Sequence, residues 1–149
     1  MENVVKRTAG KRYNSKMDIK SEFNTICIRE TEIYKTGFVM PNGHFEFLRM
    51  PFCITNGLST MTKAIKLAYN HLAPQNVNTY IDDISTSHDD LNYHLKVLYK
   101  IFEATHNASF KLTLGKSYLA VSEISFFGRI LSQDGERPNP EHRASVKRY

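Results

Sequence analysis

The stretch Tyr80-Ile81-Asp82-Asp83-Ile84 places two adjacent acids at the centre of a short, strand-like run. Aspartate is depleted in strands, and two neighbouring carboxylates repel each other. A divalent cation between them would remove that penalty, and Mg²⁺ commonly binds one or two carboxylates together with substrate phosphates. The alternative is a plain hairpin turn, where aspartate is common.

A third acid, Asp18, lies 64 residues upstream of Asp82 within another strand-like run, Met17-Asp18-Ile19. A two-metal site for phosphoryl or nucleotidyl transfer needs carboxylates that converge from separate strands, because one cation activates the attacking hydroxyl and the other stabilises the leaving oxygen. We therefore predict that Asp18, Asp82 and Asp83 come together. Taken alone, Asp18 is more simply read as a solvent-facing residue at a strand end.

The first half of the chain predicts short strands followed by a helix. Apolar-leaning runs predict strands at 16–19 and 26–28. The turn Pro41-Asn42-Gly43 predicts a β-hairpin, in which Phe45 and Phe47 alternate with polar residues as in a half-buried strand. Apolar residues at helical spacing then predict a helix from Thr55 or Asn56 to about residue 72.

The second half begins with a second hairpin, predicted over 77–87. A helix beginning at Ser87 or Asp89 follows, and we expect its buried stripe to contain Leu91, Leu95, Leu98, Phe102 and Thr105, with Ile101 beside it. Two strands at 110–114 and 124–131, a turn at 133–135 and the start of a helix at 140–149 complete the prediction. The fold class is α+β, with a mostly antiparallel sheet and helices on one face.

Composition is that of a globular domain. The chain has 149 residues, of which 41% are hydrophobic and 23% charged. We find neither a long apolar run nor a secretory signal, and so expect an intracellular protein without a membrane partner. The net charge of +5 suits a polyanionic partner but does not require one. Cys27 and Cys53 form no Cys-x-x-Cys pair, so we expect reduced, partly buried thiols.

Four runs carry a family resemblance. They begin with Tyr13-Asn-Ser-Lys-Met-Asp-Ile-Lys-Ser-Glu-Phe23 and Lys35-Thr-Gly-Phe-Val-Met-Pro-Asn-Gly-His-Phe-Glu-Phe-Leu-Arg-Met-Pro-Phe52, and continue with 80–83 and 127–140. In order and spacing they resemble the reverse transcriptases of gypsy-type LTR retrotransposons, from about Glu2 to Tyr149. The resemblance implies a right-hand polymerase palm with part of the fingers and only the beginning of a thumb, as one partial domain over 1–149.

The resemblance also implies roles for individual residues. Asp18, Asp82 and Asp83 would be catalytic, and together with the Ile19 backbone they would hold two Mg²⁺ ions, for which Mn²⁺ could substitute. Phe23 would crowd the ribose 2′ position, although without the resemblance it would be read as a core aromatic. Lys116 would be a proton donor to pyrophosphate or else an exposed surface lysine. The nucleotide pocket would contain Phe23, Phe52 and Cys53, and the primer grip Phe127 and Gly128.

The function implied is RNA-directed DNA synthesis on a primed RNA or DNA template. The substrates would be deoxynucleoside triphosphates, and the partners would be the rest of a Pol polyprotein, including fingers, thumb and RNase H. The chain departs from the family pattern at Cys53, where glycine is usual, and at Gly57-Leu58, where Ala-Pro is usual. The alternative is therefore an inactive relic with at most weak nucleic-acid binding. We expect the 149-residue chain alone to show little or no polymerase activity.

Overall fold

The computed structural model describes residues 8–20, 23–126 and 128–139. These residues form two α-helices, α1 (Gly57–Tyr69) and α2 (Leu91–Asn107), and 3-10 segments at Phe23–Thr25, Glu30–Thr36, Asn70–Gln75 and Leu114–Lys116. The strands are β1 (Tyr13–Asp18), β2 (Phe38–Met40), β3 (Gly43–Phe45), β4 (Val77–Tyr80), β5 (Asp83–His88), β6 (Tyr118–Val121), β7 (Glu123–Phe126), β8 (Arg129–Ser132) and β9 (Gly135–Pro138).

The main sheet has the strand order β4-β5-β1-β6, and each neighbouring pair is antiparallel. Side chains alternate between its two faces. Met17 and Ile84 belong to the core that the sheet shares with α1 and α2, so Lys16 and Asp18 project from the opposite face. The predicted α+β class with helices on one face is confirmed.

The main core contains large side chains from β1, β5 and both helices. Its fully buried members include Met17, Met61, Ile65, Ile84 and Ile101. Burial of each such side chain contributes about 1.5–3 kcal/mol. The core therefore fixes β1 and β5 against the helices. On the opposite face Asn14 and Ser85 are also buried, whereas Lys16 and Asp83 remain partly exposed.

The buried face of α2 differs from the prediction. Leu98, Ile101 and Thr105 are buried as expected, but Leu91, Leu95 and Phe102 are exposed. The helix instead turns His94, Val97 and Ala104 inward, because His94 makes buried hydrogen bonds to both central strands. The predicted start was also wrong: β5 runs on to His88, and the cap is Asp90, whose carboxylate accepts from the Tyr93 N–H at 2.6 Å.

A chain of hydrogen bonds joins the sheet to α2. The Ala120 N–H donates to Ser15 Oγ at 2.8 Å, and Ser15 Oγ lies 2.7 Å from His94 Nε2. His94 Nδ1 lies 2.9 Å from His88 Nδ1, and His88 Nε2 lies 2.9 Å from the Gln75 carbonyl. Since a carbonyl only accepts, His88 carries a proton on Nε2. Burial lowers the pKa of both rings and so favours their neutral forms. With both rings neutral, His94 donates from Nδ1 to His88 and accepts the Ser15 hydroxyl at Nε2.

Other predicted elements changed in form. The 26–28 and 110–114 segments are not strands, because Cys27 and Leu112 make only isolated bridges, to Arg49 and Ile19. The predicted 124–131 strand is instead the β7–β8 hairpin, and β6 and β9 were not foreseen. The predicted helix at 140–149 lies outside the described residues.

The first predicted hairpin, β2–β3, and the second, β4–β5, are both present, as is the turn at 133–135. Phe45 and Phe47 are exposed rather than half-buried, and the β2–β3 hairpin forms a two-stranded sheet separate from the main sheet. Cys27 and Cys53 are free, as predicted, but exposed rather than partly buried. Within the described part of the chain, we find no helix with the length and apolarity needed to cross a bilayer.

Candidate active site

Two of the predicted carboxylates lie directly opposite each other on the central strands. Asp18 of β1 pairs with Asp83 of β5. The Ile19 N–H donates to the Asp82 carbonyl at 2.9 Å, so Asp18 and Asp83 form a non-hydrogen-bonded pair, the type in which side chains approach most closely. Like charges in this position destabilise a sheet. The structure thus brings the two acids together where a cation would be favourable.

Asp82 occupies the tight turn between β4 and β5. Tyr80 pairs with Asp83, so Ile81 and Asp82 form a two-residue loop. Ile81 has φ 51°, a left-handed conformation that is strained for a β-branched residue. Strain of this kind persists where the surrounding structure enforces it, often at functional sites. The turn holds Asp82 beside Asp83 and against the end of β1.

Two lysines lie next to the carboxylates. Lys16 Nζ is 2.9 Å from Asp83 Oδ2, and Lys116 Nζ is 4.0 Å from Asp18 Oδ2. Burial raises the pKa of Asp83 above its ordinary value. The hydrogen bond and charge of Lys16 oppose this rise in pKa, whereas the charges of Asp82 and Asp18 add to it. The cluster therefore carries more negative than positive charge in a half-buried position.

The donor set fits a magnesium-type ion. The carboxylates of Asp18 and Asp82 are hard oxygen ligands, and Mg²⁺ is usually held by one or two such groups together with water and phosphate. The Ile19 N–H donates to the Asp82 carbonyl at 2.9 Å, which places the Ile19 backbone beside the turn. Within the described ranges, no group of three His, Cys, Asp or Glu side chains is arranged to hold a metal ion. The fit therefore rests on the chemistry of the carboxylate oxygens at the end of β1 and in the β4–β5 hairpin.

The residues predicted for the nucleotide pocket lie together. The rings of Phe23 and Phe52 have centroids 5.2 Å apart and are inclined by 56°. Phe23 also packs against the main core, whereas Phe52 is exposed. A Cβ added at Gly57 would lie 3.4 Å from Phe23 Cε1, an ordinary contact. The alanine that the family pattern has at position 57 would therefore fit beneath this aromatic pair.

The backbone conformation at Cys53 explains why the family usually has glycine at this position. Its backbone has φ 68°, in the left-handed region that favours glycine. An L side chain there carries a penalty of about 1–2 kcal/mol. The replacement of the family's usual glycine by Cys53 therefore strains the backbone next to Phe52.

Replacing Cys53 with glycine should raise the free energy of unfolding by up to about 1 kcal/mol. Relief of the left-handed strain outweighs the extra freedom that glycine gives the unfolded chain, which is about 0.4–1 kcal/mol. Urea denaturation measures the change. Cys27→Gly is the control and should destabilise, because Cys27 is not among the residues with positive φ. A loss of stability in Cys53→Gly would contradict this account.

Of the two residues predicted for the primer grip, only Gly128 lies among the described residues. Gly128 has φ 71° in the β7–β8 turn, and its carbonyl accepts from the Asn139 N–H at 2.9 Å. Phe127 lies outside the described residues. Lys16 was missed by sequence reasoning, although its position two residues before Asp18 on a strand places both side chains on one face.

The described fold is that of a polymerase palm. The family model "Reverse transcriptase (RNA-dependent DNA polymerase)" matches residues 1–131, so the chain belongs to the reverse transcriptase family. It is 31% identical over 149 residues to the Pol polyprotein of transposon 297 of Drosophila melanogaster, covering 100% of this chain and 14% of that protein. It is 30% identical over 130 residues to that of transposon opus from the same organism, covering 87% and 13%.

A solved structure, the foamy viral protease-reverse transcriptase in complex with an RNA/DNA hybrid, has the same fold. It superposes with a TM-score of 0.85 at 23% identity, covering 97% of this chain and 19% of that one. The sequence-based prediction of a gypsy-type reverse transcriptase fragment is confirmed. The chain spans about one-seventh of the length of the transposon 297 relative.

Proposed function

We propose that this chain is the palm, with part of the fingers, of an RNA-directed DNA polymerase that extends a primer 3′-hydroxyl with deoxynucleotides during retrotransposon replication. The observation that carries the proposal is the pairing of Asp18 with Asp83 across two central strands, with Asp82 in the adjoining turn. Membership of the reverse transcriptase family supports it. So does the RNA/DNA hybrid bound by the foamy viral protein of the same fold.

Asp18, Asp82, Asp83 and the Ile19 backbone carbonyl would hold two divalent cations. Mg²⁺ or Mn²⁺ bound there would activate the primer hydroxyl and stabilise the leaving pyrophosphate oxygen. Lys116, whose ammonium lies 4.0 Å from Asp18, would donate a proton to the pyrophosphate. The Phe23 ring would crowd the ribose 2′ position, and Phe127 and Gly128 would brace the primer backbone.

The partners proposed are a primed RNA or DNA template, deoxynucleoside triphosphates and the remaining segments of a Pol polyprotein. Residues 1–149 would form one partial reverse transcriptase domain that depends on fingers and thumb to hold its substrates. Positioning matters because a misplacement of about 1 Å can lower a rate on the order of 10²-fold.

A chimera tests this function directly. The chain replaces the matching segment of the transposon 297 polyprotein reverse transcriptase, which supplies fingers, thumb and RNase H. The assay extends a labelled DNA primer on an RNA template with Mg²⁺, and the unmodified transposon 297 enzyme is the positive control. Primer extension by the chimera at a rate above that of its Asp82→Asn variant supports the proposal. A folded chimera without extension would overturn it in favour of an inactive relic.

Phe23→Ala should lower the preference of the chimera for deoxynucleotides by about 10- to 200-fold, the range associated with filling or emptying a small apolar contact. The reason is the loss of ring bulk where the 2′-hydroxyl of a ribonucleotide would lie. The measurement is the ratio of kcat/KM for deoxy- and ribonucleotide incorporation. Phe102→Ala removes an exposed ring of α2 and should leave the ratio unchanged. Equal ratios for Phe23→Ala and the original would mean that Phe23 is only a packing residue.

A further inference from the structure

Lys16 contacts the one carboxylate of the cluster that lies within a strand of the second hairpin. Lys16 pairs with Ser85 and Asp18 pairs with Asp83, so Lys16 and Asp83 are diagonal neighbours on the same sheet face. Lys16 Nζ lies 2.9 Å from Asp83 Oδ2, and each side chain is only 23% exposed. At the Lys116–Asp18 contact, by comparison, the separation is 4.0 Å and Lys116 is 71% exposed. The Lys16–Asp83 ion pair is therefore the less screened of the two.

The Lys16 ammonium is held from a second side. It lies 5.9 Å from the ring centroid of Phe126, within the range of a cation–π contact. Phe126 is buried with Ile124 and Leu131 in the small core of the β7–β9 sheet. The lysine is thus fixed between that sheet and Asp83, and little side-chain freedom remains to be lost when the pair forms.

Asp82 is placed differently from Asp83. It lies in the turn after Ile81, and its carbonyl is bonded to the Ile19 N–H. Among the described residues, no lysine or arginine comes within ion-pair distance of its carboxylate. Asp18 has only the longer contact with the exposed Lys116, at 4.0 Å. Asp18 and Asp82 are therefore the acids whose oxygens are less tied up by a lysine than those of Asp83.

We propose that Lys16 is a positioning residue that holds the Asp83 carboxylate in an ion pair, so that Asp18 and Asp82 supply the carboxylate ligands of the cation. This inference rests on the proposed function and narrows it, since the resemblance implies that all three acids bind metal. Lys16 then acts through Asp83, by keeping its carboxylate in the ion pair and away from the cation.

The test is a titration of the 149-residue chain with Mn²⁺, in which electron paramagnetic resonance measures the free ion. Asp82→Asn should weaken Mn²⁺ binding at least about tenfold, whereas Asp83→Asn should change it less than about threefold. In a Lys16→Met chain, Asp83 is released and can reach the ion. Asp83→Asn should then weaken binding by about tenfold relative to Lys16→Met alone.

Two controls separate positioning from simple loss of charge. Lys116→Met also removes a positive charge near Asp18, but it does not release Asp83, so adding Asp83→Asn to it should have little effect. Lys16→Arg keeps the ion pair and should behave like the original chain. Thermal melting verifies that each variant is folded.

The isosteric Asp83→Asn variant alone can overturn the inference, even if Lys16→Met does not fold. If Asp83→Asn weakens Mn²⁺ binding as much as Asp82→Asn, Asp83 is a ligand and Lys16 does not withhold it. If neither Asp18→Asn nor Asp82→Asn alters Mn²⁺ affinity, the metal site itself is absent. The proposed function then fails, and this inference with it.

Discussion

Asp82→Asn should lower primer extension by the transposon 297 chimera by about 10²- to 10³-fold in kcat/KM, the loss typical of removing one preorganised electrostatic group from an active site. The substitution keeps the shape of the side chain and removes its charge. The Asp82 carbonyl, which accepts from the Ile19 N–H, is unchanged. The turn should therefore survive while one of the two available carboxylates is lost.

Asp134→Asn is the matched control for this loss. Asp134 is exposed in the turn between β8 and β9, away from the carboxylate cluster. It should retain extension within about twofold, as expected of a surface substitution that changes stability by less than about 0.5 kcal/mol. Single-nucleotide incorporation measures both variants. A loss in Asp82→Asn no larger than that in Asp134→Asn would remove Asp82 from the catalytic site.

Acidification should destabilise the fold by about 2–3 kcal/mol between pH 7.5 and 4.5, owing to His94 alone. Burial and, to a smaller extent, the charge of His88 together lower the pKa of His94 to about 4. Burial also lowers the pKa of His88. The unfolded chain binds a proton on His94 below about pH 6.5, whereas the folded chain does so only near pH 4. The stability that neutral His94 contributes is therefore fully present above about pH 6.5 and is lost as the pH falls toward 4.

The hydrogen-bond chain gives the structural reason. A proton on His94 Nε2 would displace the bond that it accepts from Ser15, and a proton on His88 Nδ1 would face the His94 donor. The raised pKa of Asp83 acts in the opposite sense, because folded Asp83 takes up its proton at higher pH than the unfolded chain. The titration therefore stops at pH 4.5, before the carboxylates dominate.

Urea denaturation across this pH range measures the effect. His94→Leu should be less stable at pH 7.5 by about 1–3 kcal/mol, because Ser15 and His88 lose a buried partner. It should also lose less stability than the original chain on acidification. His71→Gln alters an exposed histidine and should follow the original curve. An unchanged pH dependence in His94→Leu would mean that the acid sensitivity arises elsewhere.

The sequence predicted those features of the fold that depend on local pattern. The Asn42-Gly43 turn and the acid pair at 82–83 each mark a hairpin, and the spacing of Met61 and Ile65 marks α1. Sequence reasoning also selected the three acids, and the structure places them at adjoining positions of β1 and the β4–β5 turn.

Features that depend on long-range partners were not predictable. The buried face of α2 includes His94 only because Ser15 and His88 satisfy its nitrogens, and those partners lie 79 and 6 residues away in sequence. Likewise, nothing local to Lys16 reveals that Asp83 and Phe126 lie on either side of its ammonium. The 26–28 run is apolar enough for a strand, but the fold offers it only one bridge, to Arg49.

The central claim is that Asp18 and Asp82 hold the divalent cation of a polymerase. Crystals of the chain grown with Mn²⁺ and a deoxynucleoside triphosphate would test it most directly, through the anomalous difference map. The account predicts a Mn²⁺ peak about 2.1 Å from an oxygen of both Asp18 and Asp82, with Lys16 still paired to Asp83. A bound Mn²⁺ that contacts neither Asp18 nor Asp82 would contradict it.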